Sequence, residues 1–303
     1  MATLGESVNI FRYRQKFGEL GLMEAIDKIT TGFGYPYPVR YIRLVAGPKH
    51  LNEAAGLAMR VLSLFGRYGL KVVLALPTLQ PDCQTLIVEQ KEAEAAFGRL
   101  IGNGLDVDRI TSITVNEPWN AGLTTEQTTQ LLAWYGELSG ITNFILPVPP
   151  TNGPMLFRPY YEAAYLGDKP VDIHIYQRHN CPKAMADWYK QGFEMIDLLQ
   201  AQGHTVFCFE TNLYVYDPSA IGAAEGEERK VIWNASNKVA LARAAETILR
   251  VQRKIRMFGI HKFFGSSENG WGLFTADGES PLCTLFVEGE DAFYRDLGIE
   301  EKE

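Results

Sequence analysis

The chain is short of several things that would settle its class at once. Only four cysteines occur in 303 residues, Cys83, Cys181, Cys208 and Cys283, and no two form a CxxC-like pair. That spacing offers neither a zinc ligand set nor a disulfide framework. Cys208 lies inside an apolar run and is expected to be a buried thiol. No stretch approaches 18 continuous apolar residues, so no membrane-spanning helix is expected. The first residues, MATLGESVNIFRYRQKF, hold no apolar core for a signal peptide, which gives a cytoplasmic expectation. Basic runs are missing and the net charge is −7, which argues against a nucleic-acid or anionic-membrane partner and is neutral towards uncharged sugars. A Gly-rich phosphate loop is missing too, because the second strand candidate is followed by Gly47 alone, with no GxGxxG.

What is present is a regular alternation. Short runs rich in β-branched and aromatic residues recur at 8–13, 41–46, 71–77, 110–115, 143–148, 171–176, 205–210 and 262–267. Between them lie helical patterns. One is 51–69, rich in Ala and Leu. Another is 124–138, where Thr124 and Gln127 form a capping-box pattern. In 235–259, Leu241, Ala244, Ala245, Ile248, Val251 and Ile255 share one helical face. Strands alternating with helices imply parallel pairing. Eight such units in this length predict an α/β chain folded as one (β/α)8 TIM barrel, a single domain over 1–303. No repeat of 20–50 residues and no linker interrupts it. The one long loop candidate is 211–234.

In barrels of this kind chemistry gathers where the strands end and the βα loops begin. Those ends carry Arg43, Asn116-Glu117, His174 and Tyr176, Glu210, and Glu268 with Trp271. Strands three and five end in prolines with Thr78 or Thr151 and offer no acid or base. His174 and Tyr176 alternate with Ile173 and Ile175, so both are expected to point into the barrel. Two glutamates at one barrel mouth suit glycoside hydrolysis, in which one carboxyl group protonates the leaving oxygen and a second attacks carbon or activates water. Pro118 would end the fourth strand, since it cannot donate to the ladder.

With VNEPWN after the fourth strand and VFCFETN at the seventh, the chain resembles the clan A glycoside hydrolases, retaining enzymes on a (β/α)8 barrel. IRLV, HIY and ENGWGLFTADGESP look like further parts of that pattern. The resemblance covers most of the chain by architecture and about six positions by motif. It implies Glu117 as acid/base and Glu210 as nucleophile. Asn116 would bond the sugar 2-hydroxyl, Arg43 and Tyr176 would attend the nucleophile, Trp271 would floor the first subsite, and Trp119 would offer a ring to a sugar. It implies an oligo- or polysaccharide substrate with a β-linkage and no cofactor or metal. The third strand, VVLALPT, lacks the histidine of the cellulase-like branch, which leaves the individual family open.

Plainer readings stand beside these. Glu117 is otherwise a loop carboxylate, and Glu210 an ion-pair partner, with Glu268 the rival nucleophile. Arg43 is otherwise a structural ion-pair residue, His174 a satisfied core histidine, Tyr176 a packed tyrosine, and Trp271 a core tryptophan. Tyr214, Tyr216 and Trp233 either line the cleft or pack the long loop, and His179 with Cys181 lacks a second pair of metal ligands. Two other function classes compete: a non-catalytic carbohydrate-binding or structural barrel within a larger assembly, and a Schiff-base or metal-dependent barrel enzyme. No strand end carries the lysine a Schiff base needs. Oligomeric state has no signature in the sequence.

Overall fold

The structure, a computed structural model, describes residues 3–9, 41–45, 71–79, 83–102, 110–151, 153, 155–175, 182–211, 257–261, 274–275, 278–279 and 290–297. Eight strands form one sheet: β1 (Thr3–Asn9), β2 (Tyr41–Val45), β3 (Lys71–Leu76), β4 (Ile110–Val115), β5 (Leu146–Val148), β6 (Val171–Ile173), β7 (Val206–Thr211) and β8 (Met257–His261). The sheet order is β4-β3-β2-β1-β8-β7-β6-β5, and each of these pairings is parallel. Spatial order therefore follows chain order, with β8 beside β1. The remaining junction, β4 to β5, is a parallel bridge between Ile113 and Phe144. Ile113 donates its N–H to the Asn143 carbonyl at 2.9 Å, and Ile145 donates back to the Ile113 carbonyl at 3.0 Å.

Curvature follows from one side-chain contact. Arg43 of β2 lies 3.8 Å from Asp172 of β6. These strands are four places apart in either direction, which on a flat sheet is a gap of roughly 19 Å. The sheet must curl until β2 and β6 face one another.

The helices among the described residues are α1 (Cys83–Gly102), α2 (Thr125–Ser139), α3 (Ala163–Leu166), α4 (Pro182–Ala201) and α5 (Glu290–Leu297). None of them is long and apolar enough to cross a membrane. α2 shows how local sequence sets the boundaries. The Thr124 hydroxyl accepts from Gln127 N–H at 3.1 Å, and the Gln127 side chain accepts from Thr124 N–H at 2.8 Å. Gly140 closes the helix in the left-handed region, φ 76°, and bonds back to the Gly136 carbonyl. Leu131, Leu132 and Tyr135 of α2 are buried with Ile113 and Val115 of β4. A Cβ at Gly136 would lie 2.7 Å from the Phe144 ring, so the glycine is what lets α2 settle beside the β4–β5 junction.

The sequence places β4 correctly at 110–115, and it comes within a residue of β2, β3 and β7. It overextends β5 and β6. The described part of the first strand is Thr3–Asn9, which overlaps the expected 8–13 at Val8 and Asn9, and the last described strand of the sheet is Met257–His261; residues 10–13 and the strand expected at 262–267 lie outside the described residues. Met257, Phe258 and Gly259, expected at the end of a helix, are strand. These two strands pair with each other from Thr3↔Met257 to Ser7↔His261, with Gly5 opposite Gly259. Residues of low strand propensity are carried there by ladders, since β1 is bonded on both sides. The Asp-Gly hairpin expected near the C-terminal end is present, with Phe274–Thr275 antiparallel to Gly278–Glu279. The helix expected at 51–69, the rest of the one at 235–256 and the loop at 211–234 fall outside the described residues, save Thr211 at the end of β7.

Candidate active site

Strand β4 delivers Asn116 and Glu117, and the backbone there is firmly held. Asn116 N–H donates to the Leu76 carbonyl at 3.0 Å, and the Thr78 hydroxyl donates to the Asn116 carbonyl. Glu117 then adopts φ 43°, ψ 57°, the one non-glycine residue with positive φ among those described. A left-handed glutamate costs roughly 1–3 kcal/mol, and such strain persists only where its surroundings over-determine it. Pro118 begins a 3-10 turn, Pro118–Ala121, which Gly122 closes at φ 74° by donating to the Pro118 and Trp119 carbonyls. The turn breaks the alternation of β4, so Glu117 leaves the strand on a course the strand alone would not give it.

Around this turn lies a buried ionic cluster. Arg43, Asp172 and His174 are all fully inaccessible to solvent, whereas the Glu117 side chain is 21% exposed. Arg43 Nη2 donates to Asn116 Oδ1 at 2.8 Å. His174 Nε2 lies 2.9 Å from Asp172 Oδ2 and 3.5 Å from Arg43 Nη2. On the other side of the ring, His174 Nδ1 is 3.6 Å from Glu117 Oε1. Three strands thus converge on one point: β2 gives the cation, β4 the amide and carboxyl, and the β6 segment a carboxylate and an imidazole. Buried charges at this density are stable only when paired.

Beside the cluster is a neutral belt of tyrosines. Pro77 follows β3, Pro147 lies within β5 and Pro149 follows it, and tyrosine hydroxyls satisfy their carbonyls. Tyr135 donates to Pro77 at 3.0 Å, Tyr165 to Pro147 at 3.0 Å, and Tyr161 to Pro149. Tyr160 donates to the Leu123 carbonyl at 2.8 Å. Burial pushes all four phenols above their ordinary value of 10.0. Glu89 adds to the shift of Tyr135, and Tyr160 to that of Tyr165. For Tyr160 the Thr128 hydroxyl works the other way. All four stay protonated donors through neutral pH.

Of the residues singled out by sequence, the structure brings together Arg43, Asn116, Glu117, Trp119 and His174. Trp119 does not have the free face expected for a sugar. It is 4% exposed, and its ring meets Phe157, Tyr160 and His174 edge-on at centroid distances of 6.5, 5.9 and 5.9 Å. The indole packs the turn down and walls one side of the imidazole. Glu210 occupies the next-to-last position of β7. The β7–β8 register shifts between Cys208 and Thr211, so one extra residue of β7 is accommodated around Phe209 and Glu210. Cys208 is a buried thiol outside any disulfide. Tyr176, Trp271, Glu268, Tyr214, Tyr216, Trp233, His179 and Cys181 lie outside the described residues.

Sequence reasoning missed Asp172. The signal was there, because Asp172 stands two residues before His174, and the rule that turned His174 inward turns Asp172 inward as well. Among the described residues no group of three or more His, Cys, Asp or Glu is arranged to hold a metal ion.

Comparison with known proteins gives a likeness of fold. The chain is similar to the catalytic domain of a mannanase from Streptomyces sp. SirexAA-E, at TM-score 0.52 and 13% identity, covering 97% of this chain and 87% of that one. It is similar to a family 10 endoxylanase from a sugarcane soil metagenome, at TM-score 0.55 and 12% identity, covering 99% and 97%. A family 5 mannosidase from Rhizomucor miehei matches at TM-score 0.55 and 11% identity, covering 88% and 85%. The chain has the fold of these glycoside hydrolases. No family model matches it, and no curated protein matches it in sequence.

Proposed function

We propose that the chain is a retaining glycoside hydrolase on a closed (β/α)8 barrel, acting on a β-linked oligo- or polysaccharide. The observation that carries this reading is the Asn116–Glu117 turn, strained, partly open to solvent and tied to Arg43 and His174, in a fold shared with a mannanase and a xylanase. In this reading Glu210 attacks the anomeric carbon while Glu117 protonates the leaving oxygen. Glu117 then takes a proton from water as that water releases the sugar with retained configuration. Asn116, oriented by Arg43, is placed beside Glu117 to hold a sugar hydroxyl in the transition state. The two carboxyl groups would lie about 5–5.5 Å apart, the spacing that favours direct attack over activation of water.

The test is intact mass after incubation with activated 2-deoxy-2-fluoro β-glycosides, which form a glycosyl-enzyme and release it slowly. One stable adduct on the wild type, absent from Glu210→Gln, is the expected result. An adduct that persists in Glu210→Gln moves the nucleophile elsewhere, with Glu268 next. Glycan affinity without hydrolysis over long incubation overturns the enzyme reading in favour of a non-catalytic barrel.

A further inference from the structure

Strands β3 and β5 each run out in proline and threonine, and the two threonines do different things. The Thr151 hydroxyl accepts from Gly153 N–H at 3.1 Å and stays within its own loop. The Thr78 hydroxyl crosses to the neighbouring strand and donates to the Asn116 carbonyl. The last register pair of β3 and β4 is Leu76 with Val115, so a side chain takes over where the ladder stops. Thr78 is itself well anchored. Pro77 before it is buried, and its carbonyl accepts from the Tyr135 hydroxyl at 3.0 Å. Leu79 after it is buried as well. The branched Cβ of threonine limits χ1, which sets the direction of the hydroxyl.

The carbonyl that Thr78 holds belongs to the same planar unit as the Glu117 N–H. The left-handed φ of Glu117, 43°, can be relieved by one economical motion, a flip of that unit. Such a flip changes ψ of Asn116 and φ of Glu117 in opposite senses and leaves the chain path alone. Type I and type II turns differ by a rotation of this kind. The units on either side are already tied. Asn116 N–H donates to the Leu76 carbonyl at 3.0 Å, and the Glu117 carbonyl accepts from Asn120 N–H at 2.9 Å. Pro118 disfavours the right-handed helical region for the residue before it, so extended backbone is where Glu117 would relax. The flip would swing the Asn116 carbonyl away from Thr78 and break its bond. We propose that Thr78 is a positioning residue: its hydroxyl pins the 116–117 peptide unit, keeps Glu117 left-handed and thereby aims the Glu117 side chain. The catalytic value of that aim rests on the reading of Glu117 as acid/base. Thr78 acts through the backbone alone.

Two measurements need no substrate. Crystal structures of the wild type, Thr78→Val and Thr78→Ser read φ at Glu117 directly. Valine keeps the shape of the side chain and drops the hydroxyl, whereas serine keeps the hydroxyl. Glu117 is expected at positive φ in the wild type and Thr78→Ser, and at negative φ in Thr78→Val. Positive φ retained in Thr78→Val overturns the proposal, as does negative φ in the wild type. The second measurement is a cycle of urea midpoints. In the wild-type background the lost hydrogen bond is partly offset by release of strain. In the Glu117→Gly background there is no strain to release, so Thr78→Val should lower the midpoint further there. Equal shifts in the two backgrounds overturn the proposal. Thr78→Ala replaces Thr78→Val in both measurements if the valine variant does not fold. Once a substrate is found, kcat should fall about a hundredfold in Thr78→Val, with KM little changed, and recover in Thr78→Ser. A kcat that Thr78→Val leaves unmoved overturns the positioning role. The expected flip, together with no hydrolysis of any glycoside by the wild type, would uphold the hold of Thr78 on the turn and sink the glycosidase reading.

Discussion

Two regions linked through the rings of Trp119 and Tyr160 solve the same problem in opposite ways. At the β2–β4–β6 convergence, buried polar groups are satisfied by charges: Arg43, Asp172, His174 and Glu117. Around β3 and β5 they are satisfied by neutral hydroxyls, with Tyr135, Tyr161 and Tyr165 donating to proline carbonyls. The neutral solution is cheap, because each tyrosine buries a ring and satisfies one acceptor. The ionic solution is expensive, since the desolvation of several charges must be offset by contacts with little tolerance for loss. Among the described residues, the fully buried charges gather where Asn116 and Glu117 leave β4.

Breaking each device separately measures the difference. Arg43→Met leaves Asp172 buried without its guanidinium and is expected to lower stability by about 3–5 kcal/mol in urea unfolding. Tyr165→Phe leaves only the Pro147 carbonyl short of a donor, and a loss of about 1–3 kcal/mol is expected in the same assay. If the two losses are equal, the contrast between the regions fails.

The tyrosine belt has its own pH signature. A phenol held above its ordinary value keeps its proton in the folded state after the unfolded chain has lost it. Its stabilisation is thus complete below pH 10.0, the unfolded value, and declines as pH rises from there towards the folded values. Four of the 14 tyrosines form the belt, so a late component of the phenolate absorbance, reduced in Tyr165→Phe, is expected to rise together with loss of circular dichroism above that pH. If Tyr165→Phe instead removes absorbance that rises well before structure is lost, the belt is open to solvent.

The smallest effect tests the strain at the turn. Glu117→Gly removes the left-handed penalty and should raise stability by up to about 1 kcal/mol, part of the gain being offset by the freer unfolded chain. A fall in stability would mean that the Glu117 side chain contributes more to the fold than its backbone costs.

The sequence carried most of the middle of the fold and every residue of the cluster but Asp172. β2, β3 and β4 are dense in β-branched residues, and α2 has its own caps, so local rules were sufficient for them. β1 and β8 contain Gly5, Ser7 and Gly259 and owe their form to neighbours far along the chain, which no local pattern encodes. Asn116 and Glu117 were marked by the Pro118 that follows them. Asp172 was hidden because aspartate in a strand reads as a weakness until a cation from another strand is seen beside it. Trp119 was misjudged for a related reason. An indole after a strand end can face either a ligand or the core, and only the positions of Phe157 and Tyr160 decide between them.

The β4–β5 junction, a single bridge at Ile113 and Phe144, has a consequence for how loss of the native state would be noticed. In the hydrogen-bonded order of the sheet, β4 is one end of the ribbon and β6 is next to the other. Glu117 and His174 meet only because the ends are joined. A chain in which that join has parted could retain every other strand pair, and with them most of its spectroscopic signal, while the contact between carboxyl and imidazole is gone. The contact between Glu117 and His174 would then be the earliest casualty of heat or denaturant, lost while the bulk of the sheet still looks intact.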